Sequence, residues 1–229
     1  MTELVNTGER ILLDKESALM IARHFCAYKF AMDFVHGKDV LDIGCGEGYG
    51  SNYLSGFSRT VTGIDYDRDM VSYAQNKYKK DNLQFLVKNA KDLISLNKKF
   101  DVATCFQNIE HIDDTESFLK GVKLSLNDNG IFICSTCNRR DASPGSKAPF
   151  NKFHICEYLS AEFKELLENH FKSVEILGLK RGIKLNFYRR LKKWGIFVKS
   201  YFDKISCRDF VFVKDNLDMA LDFIAVCRN

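Results

Sequence analysis

Short apolar runs alternate along this chain with stretches whose apolar positions recur every three or four residues. That alternation of periods is the primary signal for strands and helices. Residues 16–35 carry the helical spacing. Asp39-Val40-Leu41-Asp42-Ile43 is a short apolar run ending in glycines, which predicts a strand, and residues 49–55 predict a helix directly after it. Residues 59–65 form a β-branched strand, 68–79 a helix, and 83–87 and 100–106 two further strands. A helix is predicted over 115–126, and Asn129-Gly130 turns the chain into a strand over 131–135. A helix over 162–169, a strand over 174–177 and a last strand over 221–226 complete the pattern. Regular alternation predicts an α/β fold, a parallel sheet covered by helices on both faces. The last two strands have no clear helix between them, so an antiparallel strand at the sheet edge is expected. Residues 138–157 read as a long loop, and such loops in compact domains are generally functional or mobile. The chain reads as a single domain: an N-terminal helical cap (1–36), a core (37–178), a basic insert (179–215) and a final strand (216–229).

Composition narrows the class. The 229 residues suffice for one full core, and 45% hydrophobic with 28% charged residues excludes wholesale disorder. No run approaches the roughly 18 apolar residues of a membrane span. The opening MTELVNTGER lacks a basic-then-apolar leader pattern. Eight cysteines without pairing rhythm point to reduced thiols and a cytoplasmic setting. The net charge of +4 does not announce a nucleic-acid partner. Its distribution says more: residues 180–204 hold nine basic side chains against one acid, Asp203, on an otherwise mildly acidic chain.

The strongest chemical signal is Asp42-Ile43-Gly44-Cys45-Gly46-Glu47-Gly48 between a strand and a helix. Glycines there let the backbone turn tightly and approach a ligand closely. Asp65, nineteen residues after Gly46 at the end of the next strand, can accept both hydroxyls of a ribose. A dinucleotide needs the helix start free for its pyrophosphate. Asp42 and Glu47 would repel that group and instead suit a ligand carrying an ammonium and a sulfonium.

At this point the chain resembles the class I S-adenosylmethionine-dependent methyltransferases, whose first motif reads much like Leu41-Asp42-Ile43-Gly44-Cys45-Gly46-Glu47-Gly48. Ile64-Asp65-Tyr66-Asp67 is similar to their second motif, and Asn89-Ala90 stands where many relatives carry Asp-Ala beside the adenine. The stretches 100–106 and 126–135 resemble the family's fourth-strand motif and the helix, turn and strand after it. The resemblance implies a Rossmann-like seven-stranded sheet with helices on both faces and an antiparallel last strand. It implies S-adenosylmethionine held by Asp42, Gly44, Gly46, Glu47, Gly48, Asp65 and Tyr66, with Asn89, Ala90 and Gln107 nearby. Two flanks, Thr7-Gly8-Glu9-Arg10 with His24 and Tyr28, and Asn151-Lys152-Phe153-His154 with Glu157-Tyr158, resemble methyltransferases of bacterial surface-glycan pathways.

The cofactor brings its own leaving group, so the protein mainly positions the acceptor and handles its proton. Gln107-Asn108-Ile109-Glu110-His111 follows the fourth strand, where this fold places chemistry. The pattern also resembles small-RNA 2′-O-methyltransferases, which implies Gln107, Glu110, His111 and His154 around a divalent metal such as Mg, with Gln107 replacing one carboxylate. The metal-free reading gives the acceptor proton to His111, with Glu110 orienting it and His154 closing over the acceptor. The plainer alternative has Glu110 pairing locally and His111 in a polar wall. His24 and Tyr28, four apart, either line the site mouth or pack in a helix face. Cys134 and Cys137 form a lone CxxC, weak evidence for zinc or redox chemistry, and Cys45 reads as a small apolar residue.

The insert admits three readings: an amphipathic helix over 181–201 on a membrane surface, a cover packed on the core with solvated lysines, or a site for a polyanion such as RNA or a phosphorylated glycan. Together these residues predict methyl transfer to a hydroxyl of a sugar or glycan precursor. The alternatives are a quinone-type small-metabolite O- or N-methyltransferase, an RNA 2′-O-methyltransferase, a cofactor-binding regulatory protein without turnover, and, as an outsider, a dehydrogenase.

Overall fold

The computed structural model describes residues 12–229, so the expectation resting on Thr7-Gly8-Glu9-Arg10 lies outside the described residues. The first helix, α1 (Ala18–Val35), starts two residues after the sequence periodicity because Ser17 caps it, its hydroxyl accepting the Met20 N–H at 3.3 Å. Five strands follow with their crossovers: β1 (Asp39–Ile43), α2 (Tyr49–Leu54), β2 (Thr60–Asp65), α3 (Arg68–Lys77), β3 (Leu83–Val87), β4 (Phe100–Phe106), α4 (Thr115–Ser125) and β5 (Leu126–Cys137). The expected loop over 138–157 holds one short helix, α5 (Arg139–Ala142). Then come α6 (Ser160–Glu168), β6 (Ser173–Arg181), α7 (Ile183–Lys193), α8 (Lys199–Phe202), β7 (Phe210–Val213) and β8 (Asp222–Arg228).

Among the described residues the strands form one sheet in the order β3-β2-β1-β4-β5-β8-β6-β7. β1 to β5 are parallel, and β8 runs antiparallel to both its neighbours. Alternate residues of each central strand enter two cores. Leu41, Ala103, Phe132 and Phe223 face α4 and α6, while Val40, Val102, Ile133 and Ile224 face α1, α2 and α3. Burial on both faces is why these strands read as continuous apolar runs.

Three expectations need correction. The sheet has eight strands, because residues assigned to the insert supply β7, paired antiparallel with β6. The last strand is not at the edge: β8 lies between β5 and β6, since its residues from Asp222 to Cys227 are buried on both faces. The half-exposed β7 takes the edge instead. The Asn129-Gly130 turn is absorbed into β5 as an irregularity, where β4 advances from Phe100 to Val102 while β5 advances from Leu126 to Ile131.

The order reverses between β1 and β4, and the open crevice at such a switch lies outside the carboxyl ends of the strands. α1 covers one side of it. A Cβ on Gly50 would lie 1.9 Å from the Tyr28 ring, so glycine lets α2 pack directly against α1.

Candidate active site

The loop after β1 folds through three left-handed glycines, Gly44 (φ 74°), Gly46 (φ 53°) and Gly48 (φ 85°). The N–H groups of Gly44 and Cys45 both donate to the Ile64 carbonyl at 2.9 Å, tying the loop to β2. Gly46 N–H donates to Asp65 Oδ2 at 3.0 Å, and Asp67 N–H donates to Asp65 Oδ1 at 2.9 Å. The acid is thus fixed at the cleft by backbone donors. A Cβ on Gly46 would meet nothing within 4 Å, whereas one on Gly44 would lie 2.5 Å from the Asn108 amide. Gly44 lets the β1 and β4 loops meet; Gly46 leaves open space above.

The cleft over this loop is lined by Gly44, Gly46, Glu47, Asp65, Tyr66 and Gln107. Glu47 is 2% exposed, and its Oε1 has no hydrogen-bond donor among the described residues. The Lys77 ammonium is 3.8 Å away, and burial pushes the carboxyl above its usual range. An under-satisfied buried carboxylate at the cleft wall suits a cationic group, which is what an amino-acid ammonium supplies.

Two members of the expected cofactor set have other roles. Asp42 is not on the cleft wall. It is fully buried, accepting from Ser51 Oγ at 2.6 Å, Thr104 Oγ1 at 2.7 Å and the Tyr28 hydroxyl at 3.3 Å. It braces β1, β4, α1 and α2 beneath the loop. Gly48 precedes α2 as its cap, and a Cβ there would collide with Phe85 and Ala74, so that glycine serves packing. On the far side of Asp65, Asn89 and Ala90 line the continuation of the cleft with Lys88 and Ile112. Asn89 Oδ1 is engaged by the Lys91 N–H at 2.9 Å, capping the 3-10 turn Ala90–Leu96, so its amide reads the cleft only in part.

A second cavity of about 290 Å³ adjoins the cleft. His24, Gln107 and His111 line both, so they stand where the two spaces join. Gln107 holds φ 48°, a left-handed conformation unusual outside glycine, with its N–H donating to the Ser135 carbonyl at 3.0 Å. Such strain persists where surrounding structure enforces it, often at functional sites. Burial, reinforced by the Arg23 guanidinium, pushes His24 down to about 4 against the pull of Asp222, so this imidazole is neutral. Both readings of Tyr28 hold at once, since it packs in the α1 face and lines the cleft.

His111 Nδ1 lies 3.0 Å from the Phe153 carbonyl. The carbonyl only accepts, so Nδ1 carries the proton and, in the neutral ring, Nε2 carries the lone pair. The His154 ring stands edge-on at 4.9 Å, with its Nδ1 2.7 Å from Glu157 Oε1. Glu157 is 1% exposed, and its Oε2 has no partner among the described residues. The expectation that Glu110 orients His111 is therefore corrected: the Phe153 carbonyl does so, and Glu157 orients His154. Glu110 instead accepts from Thr136 Oγ1 at 3.0 Å, and burial raises its pKa to about 7.

Gln107, Glu110, His111 and His154 all line the second cavity, but Glu110, His111 and His154 do not converge as a set within ion-sharing distance. Among the described residues, the donor atoms close enough to share an ion belong to Glu110, Cys137 and His154, all within 4.8 Å. Nor do Cys134 and Cys137 face one ligand. Residues three apart on an extended strand point to opposite faces, and Cys134 is in the core while Cys137 lines the second cavity. Arg23 and Asp141 also line that cavity and were not singled out from the sequence, and Glu157, there only part of a flanking motif, lines it too. Glu157 carried a usable signal, an acid three residues after a histidine. Arg23 carried none, because its partner Asp222, at 2.6 and 2.7 Å, lies 199 residues away.

Comparison with known proteins agrees with this geometry. A family described as "Methyltransferase domain" matches residues 35–221. A Mycolicibacterium smegmatis protein named "Probable S-adenosylmethionine-dependent methyltransferase" is 35% identical over 178 residues, covering 77% of this chain and 68% of that protein. A ubiquinone biosynthesis O-methyltransferase of Glaesserella parasuis is 33% identical over 110 residues, 45% of this chain and 47% of its own. The solved structure of a Thermotoga maritima S-adenosylmethionine-dependent methyltransferase superposes with a TM-score of 0.64 at 15% identity over 92% of each chain, which speaks for the fold. With the glycine cradle, Asp65 and the under-satisfied Glu47 all facing one cleft, the chain belongs to the methyltransferase-domain family and is an S-adenosylmethionine-dependent methyltransferase.

Proposed function

We propose that the enzyme methylates a hydroxyl of a sugar or glycan precursor. The observation that carries this reading is the polarity of the second cavity. Of its lining residues, only Met20, Cys137 and Ala142 lack a strongly polar side chain. Arg23, Asp141, Asn151 and Glu157 offer donors and acceptors suited to a polyhydroxylated acceptor. A flat aromatic acceptor would call for an apolar slot.

When bound, S-adenosylmethionine supplies an electrophilic methyl group and a neutral leaving group. The chain supplies position and a proton acceptor. His111, at the junction of cleft and cavity, takes the hydroxyl proton on Nε2 while the Phe153 carbonyl holds its Nδ1 proton. His154, held by Glu157, fixes a neighbouring hydroxyl. Glu110, with a carboxyl titrating near 7, serves as a buried hydrogen-bonding group beside both. No step in this scheme needs a metal, so chelation by EDTA leaves turnover unchanged.

The test uses cofactor labelled in its methyl group, incubated with the protein and a fractionated extract. The reading expects label in the sugar-nucleotide or glycan-lipid fraction. Label in the quinone fraction instead would favour the acceptor class of the ubiquinone-pathway relative, whose likeness covers under half of this chain.

A further inference from the structure

The segment between β6 and β7 has two unlike sides. Inward, Leu185 is fully buried against Ala22 and Cys26 of α1, with Tyr201 and Phe202 packed on the same cluster. This side accounts for the segment's attachment. Outward, Ile183 is 93% exposed, Phe187 56%, Trp194 76%, Ile196 54% and Phe197 53%. Ile183 and Phe187 are one helical turn apart on α7, and Trp194 continues that face seven residues later. After Trp194, the left-handed Gly195 (φ 83°) turns the chain into the exposed Ile196 and Phe197, the latter with one face stacked on Phe202 at 5.1 Å. Five of the thirteen large apolar side chains left exposed among the described residues thus fall within residues 183–197, a patch rather than a scatter.

The charge along this segment is strongly biased: residues 183–203 carry six bases, Lys184, Arg189, Arg190, Lys192, Lys193 and Lys199, against the single acid Asp203. Lys192 lies over the Phe197 ring at 5.1 Å and Lys184 over the Tyr201 ring at 5.1 Å, so cations and apolar rings are interleaved. At its start the segment meets the second cavity: Arg181 pairs with Asp141, a cavity-lining residue, at 3.8 Å.

We propose that this face binds the surface of an anionic phospholipid bilayer, with Ile183, Phe187, Trp194, Ile196 and Phe197 entering the headgroup boundary and the six bases lying among the headgroups. An apolar stripe ringed by lysine and arginine is the pattern of an interfacial helix. A second copy of the chain is a poor occupant, because a two-fold contact would bring six bases against six. Single-stranded RNA would use the bases and the rings but has no use for exposed Ile183 and Ile196. The proposal stands apart from the acceptor reading and does not depend on it.

Trp194 is the protein's one tryptophan, so its emission reports on this face alone. The 229-residue chain is mixed at low salt with vesicles of phosphatidylcholine containing about a third phosphatidylglycerol, and with vesicles of pure phosphatidylcholine. The proposal expects co-sedimentation with the anionic vesicles, a blue shift of Trp194 emission, and loss of both at high salt. Lys192→Gln with Lys193→Gln should weaken partitioning about 25-fold, from roughly fivefold per charge. Phe187→Ser with Ile196→Ser should weaken it while circular dichroism stays that of the parent. Absence of sedimentation overturns the proposal, as does sedimentation without a blue shift, which would mean charge contact without insertion. Displacement from the vesicles by an equal charge of poly-uridine would assign the face to a polyanion and also overturn it.

Discussion

Glu110 is a carboxyl that the fold prefers protonated. Its pKa rises from 4.5 to about 7 because burial removes water from the charged form, and the Thr136 hydroxyl offsets this only in part. Between those values the folded state keeps a proton that the unfolded chain has released, so stability falls as pH rises through that window. Glu110→Gln keeps an acceptor for Thr136 and has no charge to bury. It should match the parent near pH 4.5 and exceed it by about 3 kcal/mol at pH 8, read as a Tm gap that widens with pH. A gap equal at both pH values would contradict this. Asp65 has the opposite kind of role. Asp65→Ala removes the anchor of Gly46 N–H and, on the proposed reading, the acceptor for two ribose hydroxyls. S-adenosylhomocysteine affinity by calorimetry should drop at least about 100-fold, since charge-assisted bonds contribute about 1.5–3 kcal/mol each. Asp65 was legible in the sequence because its distance from the glycines follows from the length of one crossover. The true setting of Asp42 was not, because the hydroxyls that surround it come from α1, α2 and β4.

The elements read well where a strand has two buried faces or a helix has one, as in β1, β4 and α4. They read poorly where tertiary pairing decides. β7 is four residues with a mixed burial pattern, and it is a strand because β6 offers it an edge. Glycine spacing likewise hides which element needs which glycine. Gly50→Ala would drive a methyl into the Tyr28 ring and force α1 away from α2, costing on the order of 1–3 kcal/mol. Thermal unfolding should fall by several degrees. Gly121→Ala is the control: its Cβ would meet Leu93 at 3.7 Å, an ordinary contact, inside helix α4. That variant should gain roughly 0.5–1 kcal/mol from helix propensity. Loss of stability in both variants would show that the two positions are not distinguished by packing.

For the whole molecule, fold and cofactor cleft were legible together because one contiguous motif, from β1 through β2, builds both. The second cavity was not, because it gathers α1, the end of β5 and the loop at 151–157 from distant parts of the chain. His111 and His154 stand out as candidates from their neighbours in sequence, but the groups that hold their rings, the Phe153 carbonyl and Glu157, are identified only in three dimensions. On the proposed mechanism, methyl transfer occurs where cleft and cavity meet, with His111 accepting the proton. The most direct measurement is single-turnover transfer of labelled methyl to the fraction that accepts it, comparing the parent with His111→Ala at saturating S-adenosylmethionine. The account predicts a rate lower by about 100-fold or more with cofactor affinity unchanged. Transfer at the parental rate by His111→Ala would contradict it.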